Sequence, residues 1–179
     1  MTPARSLLLA VLAVVLLISP RPMAGGDQFP RGLLSAESKS QFCTIETRPL
    51  SFGTFDPLAG TTLDATGQII YTCGNGNGNG PSTQESSKAI RIEMAQGSSN
   101  SFGTRAMVGP GADNLTYNIY LDATHRTVWG DGTGSTQTYY DAHPPNRTPV
   151  IVPAFGRIDS RQDVEAGPYV DSVAVRILF

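Results

Sequence analysis

An antiparallel β-sandwich, all-β in class, is the fold this sequence predicts, and three observations predict it. Several segments alternate apolar and polar residues with period 2, the last of them YVDSVAVRILF at residues 169–179. These segments are short and lie between turns drawn from 19 glycines and 13 prolines. Beyond the N-terminal segment, no stretch carries the 3.6-residue period of an amphipathic helix.

The chain opens with Arg5 and an apolar run from Leu7 to Ile18, broken at Ser19-Pro20 and followed by small residues at Ala24-Gly25-Gly26. A bilayer span needs roughly 20 apolar residues, so residues 1–24 read as a cleaved secretory signal peptide, exported by the Sec route with no stable membrane insertion afterwards. Cleavage near Ala24 removes Arg5 and Arg21 and no acid, leaving a charge of about −4, an acidic balance that excludes a phosphate-binding surface and nucleic acid as a partner. Two cysteines in an exported chain read as one disulfide, Cys43–Cys73, which closes about 30 residues and is worth roughly 3–4 kcal/mol.

Residues 25–41 are weakly patterned and read as an N-terminal arm, the candidate donor segment; the domain itself spans 42–179. FCTIETR alternates two faces, and Pro49 ends it. After a turn-rich connection, Ile69, Tyr71 and Cys73 share a face. GNGNGNGPSTQESS, residues 74–87, is a polar loop. KAIRIEMA directs Ile90, Ile92 and Met94 inward, and NLTYNIYLD does the same with Leu115, Tyr117, Ile119 and Leu121. RTVW is a short strand before a Gly-Asp-Gly turn, and TPVIVPAFGRI is another strand, weakened at its ends by Pro149 and Pro153. Val173, Val175, Ile177 and Phe179 share one face of the closing strand 170–179.

That makes six principal strands and a short seventh. An immunoglobulin-like sandwich has a further strand after the one matching 170–179, so the expected fold is an incomplete immunoglobulin-like sandwich lacking its last strand. An unpaired apolar edge invites β-augmentation by another chain. Four or five donated side chains at roughly 1.5–3 kcal/mol each give about 6–15 kcal/mol, which rivals the stability of a whole domain. The expected acceptor groove takes in Ile69, Tyr71, Ile119, Leu121, Val173, Val175, Ile177 and Phe179.

Three stretches, FCTIETRPLSFGTFDPLAGTTLDATGQIIYTC, RAMVGPGADNLTYNIYLDATHRTVWGDG and VPAFGRIDSRQDVEAGPYVDSVAVRILF, together resemble the spore coat protein U domain family, which includes the pilins of archaic chaperone–usher pili. The resemblance implies capture by a periplasmic chaperone, passage through an outer-membrane usher, and joining to other pilus subunits by donor-strand exchange, ending in a secreted or cell-surface fibre. Its cysteine pair matches Cys43 and Cys73. The chain departs from the family in two places. AESKSQF is a poor version of the alternating apolar stretch expected before the first cysteine, and residues 74–87 look like an insertion.

No catalytic constellation, metal ligand set or cofactor motif stands out. There is no G-x-S-x-G elbow, H-E-x-x-H or Walker loop. His125 with Asp122 and Asp131 reads as surface polar residues near a turn. Trp129 reads as a packing residue at a sandwich corner, while Tyr139 and Tyr140, placed in a polar loop, are candidate surface contacts. The expected function is therefore structural and not enzymatic. The alternatives are a self-completed secreted coat or matrix protein and a carbohydrate-binding adhesin subunit.

Overall fold

The computed structural model describes residues 41–75 and 88–179. The signal peptide, the arm up to residue 40 and residues 76–87 of the polar loop lie outside the described residues. Eight strands form two antiparallel sheets: β1 (Gln41–Arg48), β2 (Leu63–Asn75), β3 (Ile90–Met94), β4 (Arg105–Val108), β5 (Asn114–Tyr120), β6 (Tyr139–Asp141), β7 (Val150–Ile158) and β8 (Val175–Leu178). One sheet has the order β1-β2-β7-β5-β4, the other β6-β3-β8. The fold is thus an all-β sandwich with immunoglobulin-like character.

The inward faces are those the alternation predicts. Ile90, Ile92 and Met94 of β3 meet Ile69 and Tyr71 of β2, Leu115, Tyr117 and Ile119 of β5, and Val152 and Ala154 of β7 in one buried cluster. Trp129 is fully buried in it and donates its indole N–H to the Ile92 carbonyl at 3.0 Å. Cys43 and Cys73 face each other across the β1–β2 ladder and are joined by a disulfide.

Four local expectations are corrected. RTVW forms no strand; it contributes two isolated bridges, Tyr120 to Val128 and Trp129 to Gln137, because Trp129 is drawn into the core. RAMV and YYD, which show no clear alternation, are strands β4 and β6, so Tyr139 and Tyr140 belong to a sheet and not to a loop. Pro153 sits inside β7, where it pairs with Gln68 of β2; on its other side β7 pairs with β5 only from Phe155 to Arg157, so no ladder bond is lost there. Finally, only Val175–Leu178 of the closing segment is strand. Val170 bonds instead to Val108 at the edge of β4, at 2.8 and 3.1 Å, so residues 170–174 cross from one sheet to the other.

Candidate functional site

β8 is bonded to β3 along one edge and is the last strand of its sheet among the described residues. Near its start, at Val175, a crevice opens between the two sheets, over floor residues that are themselves largely buried. A cavity of about 370 Å³ lies there. Its floor is Ile69 of β2, Ala154 of β7, Tyr117 and Ile119 of β5 and Met107 of β4. One wall is the closing segment, with Tyr169, Val173 and Val175; the opposite wall is the end of β1 and the chain after it, Thr47 to Leu50 with Phe52. Ile45, turned inward by its register with Tyr71, is still 36% exposed, so β1 lacks full cover.

The walls are built by local necessity. Pro49 ends β1, and Leu50 and Phe52 then fold over the sheet. They can do so because position 156 is glycine: a Cβ there would lie 2.5 Å from Leu50 Cδ2 and 2.7 Å from Phe52 Cζ. The Phe52 and Tyr117 rings meet edge to face at 5.9 Å. On the other wall the Asp171 carboxylate accepts from Ser98 N–H (2.9 Å), Ser98 hydroxyl (2.6 Å), Tyr117 hydroxyl (2.7 Å) and Ser172 N–H (2.7 Å). Burial by itself would raise this carboxyl's pKa, but the donors outweigh it and hold it below the ordinary aspartate value. Burial, and then the bond to Asp171, push the Tyr117 hydroxyl up.

Behind this wall lies Arg105, fully buried. It donates to the Ala95 carbonyl from Nε (3.1 Å) and Nη2 (2.9 Å), to the Trp129 carbonyl (2.7 Å) and to Asn118 Oδ1 (2.7 Å). The Ala95 N–H in turn donates to the Ala174 carbonyl at 2.9 Å. A buried cation thus fixes the loop on which the start of β8 hangs.

Of the residues expected in the groove, Ile69, Ile119, Val173 and Val175 line this cavity. Tyr71 is fully buried between the sheets, its hydroxyl donating to Asp141 at 2.6 Å. Ile177 pairs with Ile92 and packs on the core, as Leu121 does at its margin. Phe179, past the end of β8, is 55% exposed. Tyr117, expected to face inward, joins the floor, and Leu50, Phe52, Met107 and Ala154 are further lining residues; the alternation of Leu50 and Phe52 after Pro49 is the sequence signal for that wall.

Tyr139 packs against the core, 6.3 Å from the Trp129 ring and 6.2 Å from Tyr71, and only Tyr140, 60% exposed, faces solvent. His125 is not a surface residue. Its side chain is 8% exposed between Tyr120 and Phe155, with Nε2 3.9 Å from Asp64. The Asp122 oxygens instead accept from Thr124, Arg126 and Thr127 in their own turn, and Asp131 accepts from Thr133. Among the described residues no three His, Cys, Asp or Glu are grouped as a metal site would need.

Comparison with known proteins places this architecture. The chain is 29% identical over 140 residues to Protein U of Myxococcus xanthus, covering 73% of this chain and 71% of that one. Its fold is similar to a chain of the CsuC–CsuE chaperone–tip adhesion subunit pre-assembly complex from the archaic chaperone–usher Csu pili of Acinetobacter baumannii, with TM-score 0.52 and 20% identity. That match covers 78% of this chain but spans only 40% of the solved one. The minor tip subunit HdaB of the Escherichia coli Hda pilus aligns at 18% identity and TM-score 0.37, over 76% of this chain and 79% of that one. The Spore Coat Protein U domain profile matches residues 33–176, most of the sequence including both cysteines and both walls of the cavity, and the chain therefore belongs to the Spore Coat Protein U domain family.

Proposed function

We propose that this chain is a non-enzymatic structural subunit of a pilus-type fibre, whose apolar trough is filled by a strand from another polypeptide. The observation that carries this reading is the edge of β8 that has no strand partner among the described residues, beside an apolar crevice between the sheets. An extended segment laid there bonds to β8 and buries its alternate side chains on Ile69, Ile119 and Ala154. Family membership and the likeness to a chain of a chaperone–subunit complex support it. On this reading a periplasmic chaperone covers the trough in transit, an outer-membrane usher exports the subunit, and a neighbouring subunit completes it at the cell surface. The acceptor residues are Ile69, Ile119, Val173 and Val175, with Leu50, Phe52 and Tyr117.

The test supplies the strand in the same molecule. A segment alternating valine and leucine is joined to Phe179 through a flexible glycine–serine linker, and the mature chain is compared with and without it. Three or four side chains buried at roughly 1.5–3 kcal/mol each predict a gain of about 5–12 kcal/mol in unfolding free energy. An appended segment that leaves the urea midpoint unchanged would refute the acceptor role. The same comparison addresses self-completion, since a trough already filled by the chain's own arm has no room for the new strand.

A further inference from the structure

A strand that fills the trough must present several large apolar side chains on one face, because the floor is Ile69, Ala154, Ile119, Tyr117 and Met107. The arm ahead of β1, residues 25–40, carries no such face. Residues 31–40 read RGLLSAESKS. Extended, Gly32, Leu34, Ala36, Ser38 and Ser40 share one side, with a single large apolar residue. The other side, Arg31, Leu33, Ser35, Glu37 and Lys39, takes three charged groups into an apolar trough. Further out, Pro30 removes a backbone donor from any ladder.

We infer that this chain accepts a strand without donating one: the occupant of its trough is an extended segment of a different polypeptide with alternating large apolar side chains, not a second copy of itself. The inference rests on the acceptor reading above. It places the subunit at the end of a strand-exchanged series, the one position from which nothing is donated.

The experiment uses the full mature chain and a variant carrying Ala36→Leu and Ser38→Leu, which gives the Leu34 face three leucines in a row. The probe is a synthetic peptide alternating valine and leucine. Each large apolar side chain added to a docked strand tightens binding by roughly 10- to 100-fold. The expected result is that the wild-type chain binds the peptide yet stays monomeric on unheated gels and in light scattering, while the variant forms ladders of linked copies. Ladders from the wild-type chain overturn the inference and leave the acceptor role standing. Peptide binding without ladders from the variant also overturns it, because arm composition is then not what prevents donation. If the chain binds no peptide and neither protein forms ladders, the acceptor reading itself fails, and this inference with it.

Discussion

Val175→Asp separates the open subunit from the filled one. In the open chain Val175 pairs with Met94 at the start of β8 and stands on the rim of the cavity, partly exposed. An aspartate there keeps access to water, and the cost is about 1 kcal/mol of lost packing. Under a docked strand the same position is covered. The lost valine burial then costs about 1.5–3 kcal/mol, and a carboxyl that must stay neutral at pH 7 is held about three units above its ordinary pKa, about 4 kcal/mol more. The difference between the two states is about 4–6 kcal/mol, or roughly 10³- to 10⁴-fold in strand affinity. Urea unfolding of four proteins measures it: the chain and its strand-appended form, each with valine and with aspartate. The substitution should cost far more in the appended form, and the excess should shrink as pH falls to about 3, where the carboxyl is mostly neutral without the protein's help. Equal losses in both backgrounds, or an excess independent of pH, would refute the placement of Val175 under the incoming strand.

Four further outcomes follow from the geometry. Replacing Cys43 and Cys73 together by serine should lower unfolding free energy by about 3–4 kcal/mol, for a loop closed over a sequence separation of 30, and by the same amount with and without the appended strand. Arg105→Met leaves the Ala95 and Trp129 carbonyls and Asn118 Oδ1 without their buried donor, so a loss of about 3 kcal/mol or more is expected, with faster amide exchange at Ala95. The depressed pKa of Asp171 means its contribution is fully present above the ordinary aspartate value, about 3.9, and is lost as pH falls through the lower folded value. Asp171→Asn, which cannot accept from all four donors, should be less stable at neutral pH and flatter in its acid dependence, read from urea midpoints between pH 2 and 7. Tyr139→Ala should cost about 3 kcal/mol, whereas Tyr140→Ala should change stability by less than about 0.5 kcal/mol; reversed values would contradict the placement of the two rings.

Much of the sandwich was legible because side-chain alternation is local. In β3 and β5, and in β2 from Ile69 to Cys73, each apolar residue two positions on points the same way whatever the neighbours are, and these are the residues that meet in the core. The cysteine pair was legible for a similar reason, two thiols in an exported chain having one partner each. β4 was not, because Arg105 and Ala106 are both buried and no alternation survives. Neither was β6, whose three residues are too few to show a period. His125 looked like a turn residue and is one, with φ +55°, but its ring is covered by Tyr120 and Phe155 from other parts of the chain.

The trough divides the two kinds of knowledge most clearly. Sequence alone determined that the closing segment is an apolar-faced strand, that residues 68–73 and 114–121 share a core with it, and that the arm before β1 is poor in large apolar side chains. Only the tertiary structure decided that the ladder shortens to Val175–Leu178, that Val170 is spent on β4, and that Leu50, Phe52 and Tyr117 wall and floor the gap. The reason is physical: which way a side chain points depends on its neighbours in the chain, whereas whether a strand edge is occupied depends on residues far away in sequence that happen to arrive beside it, or do not.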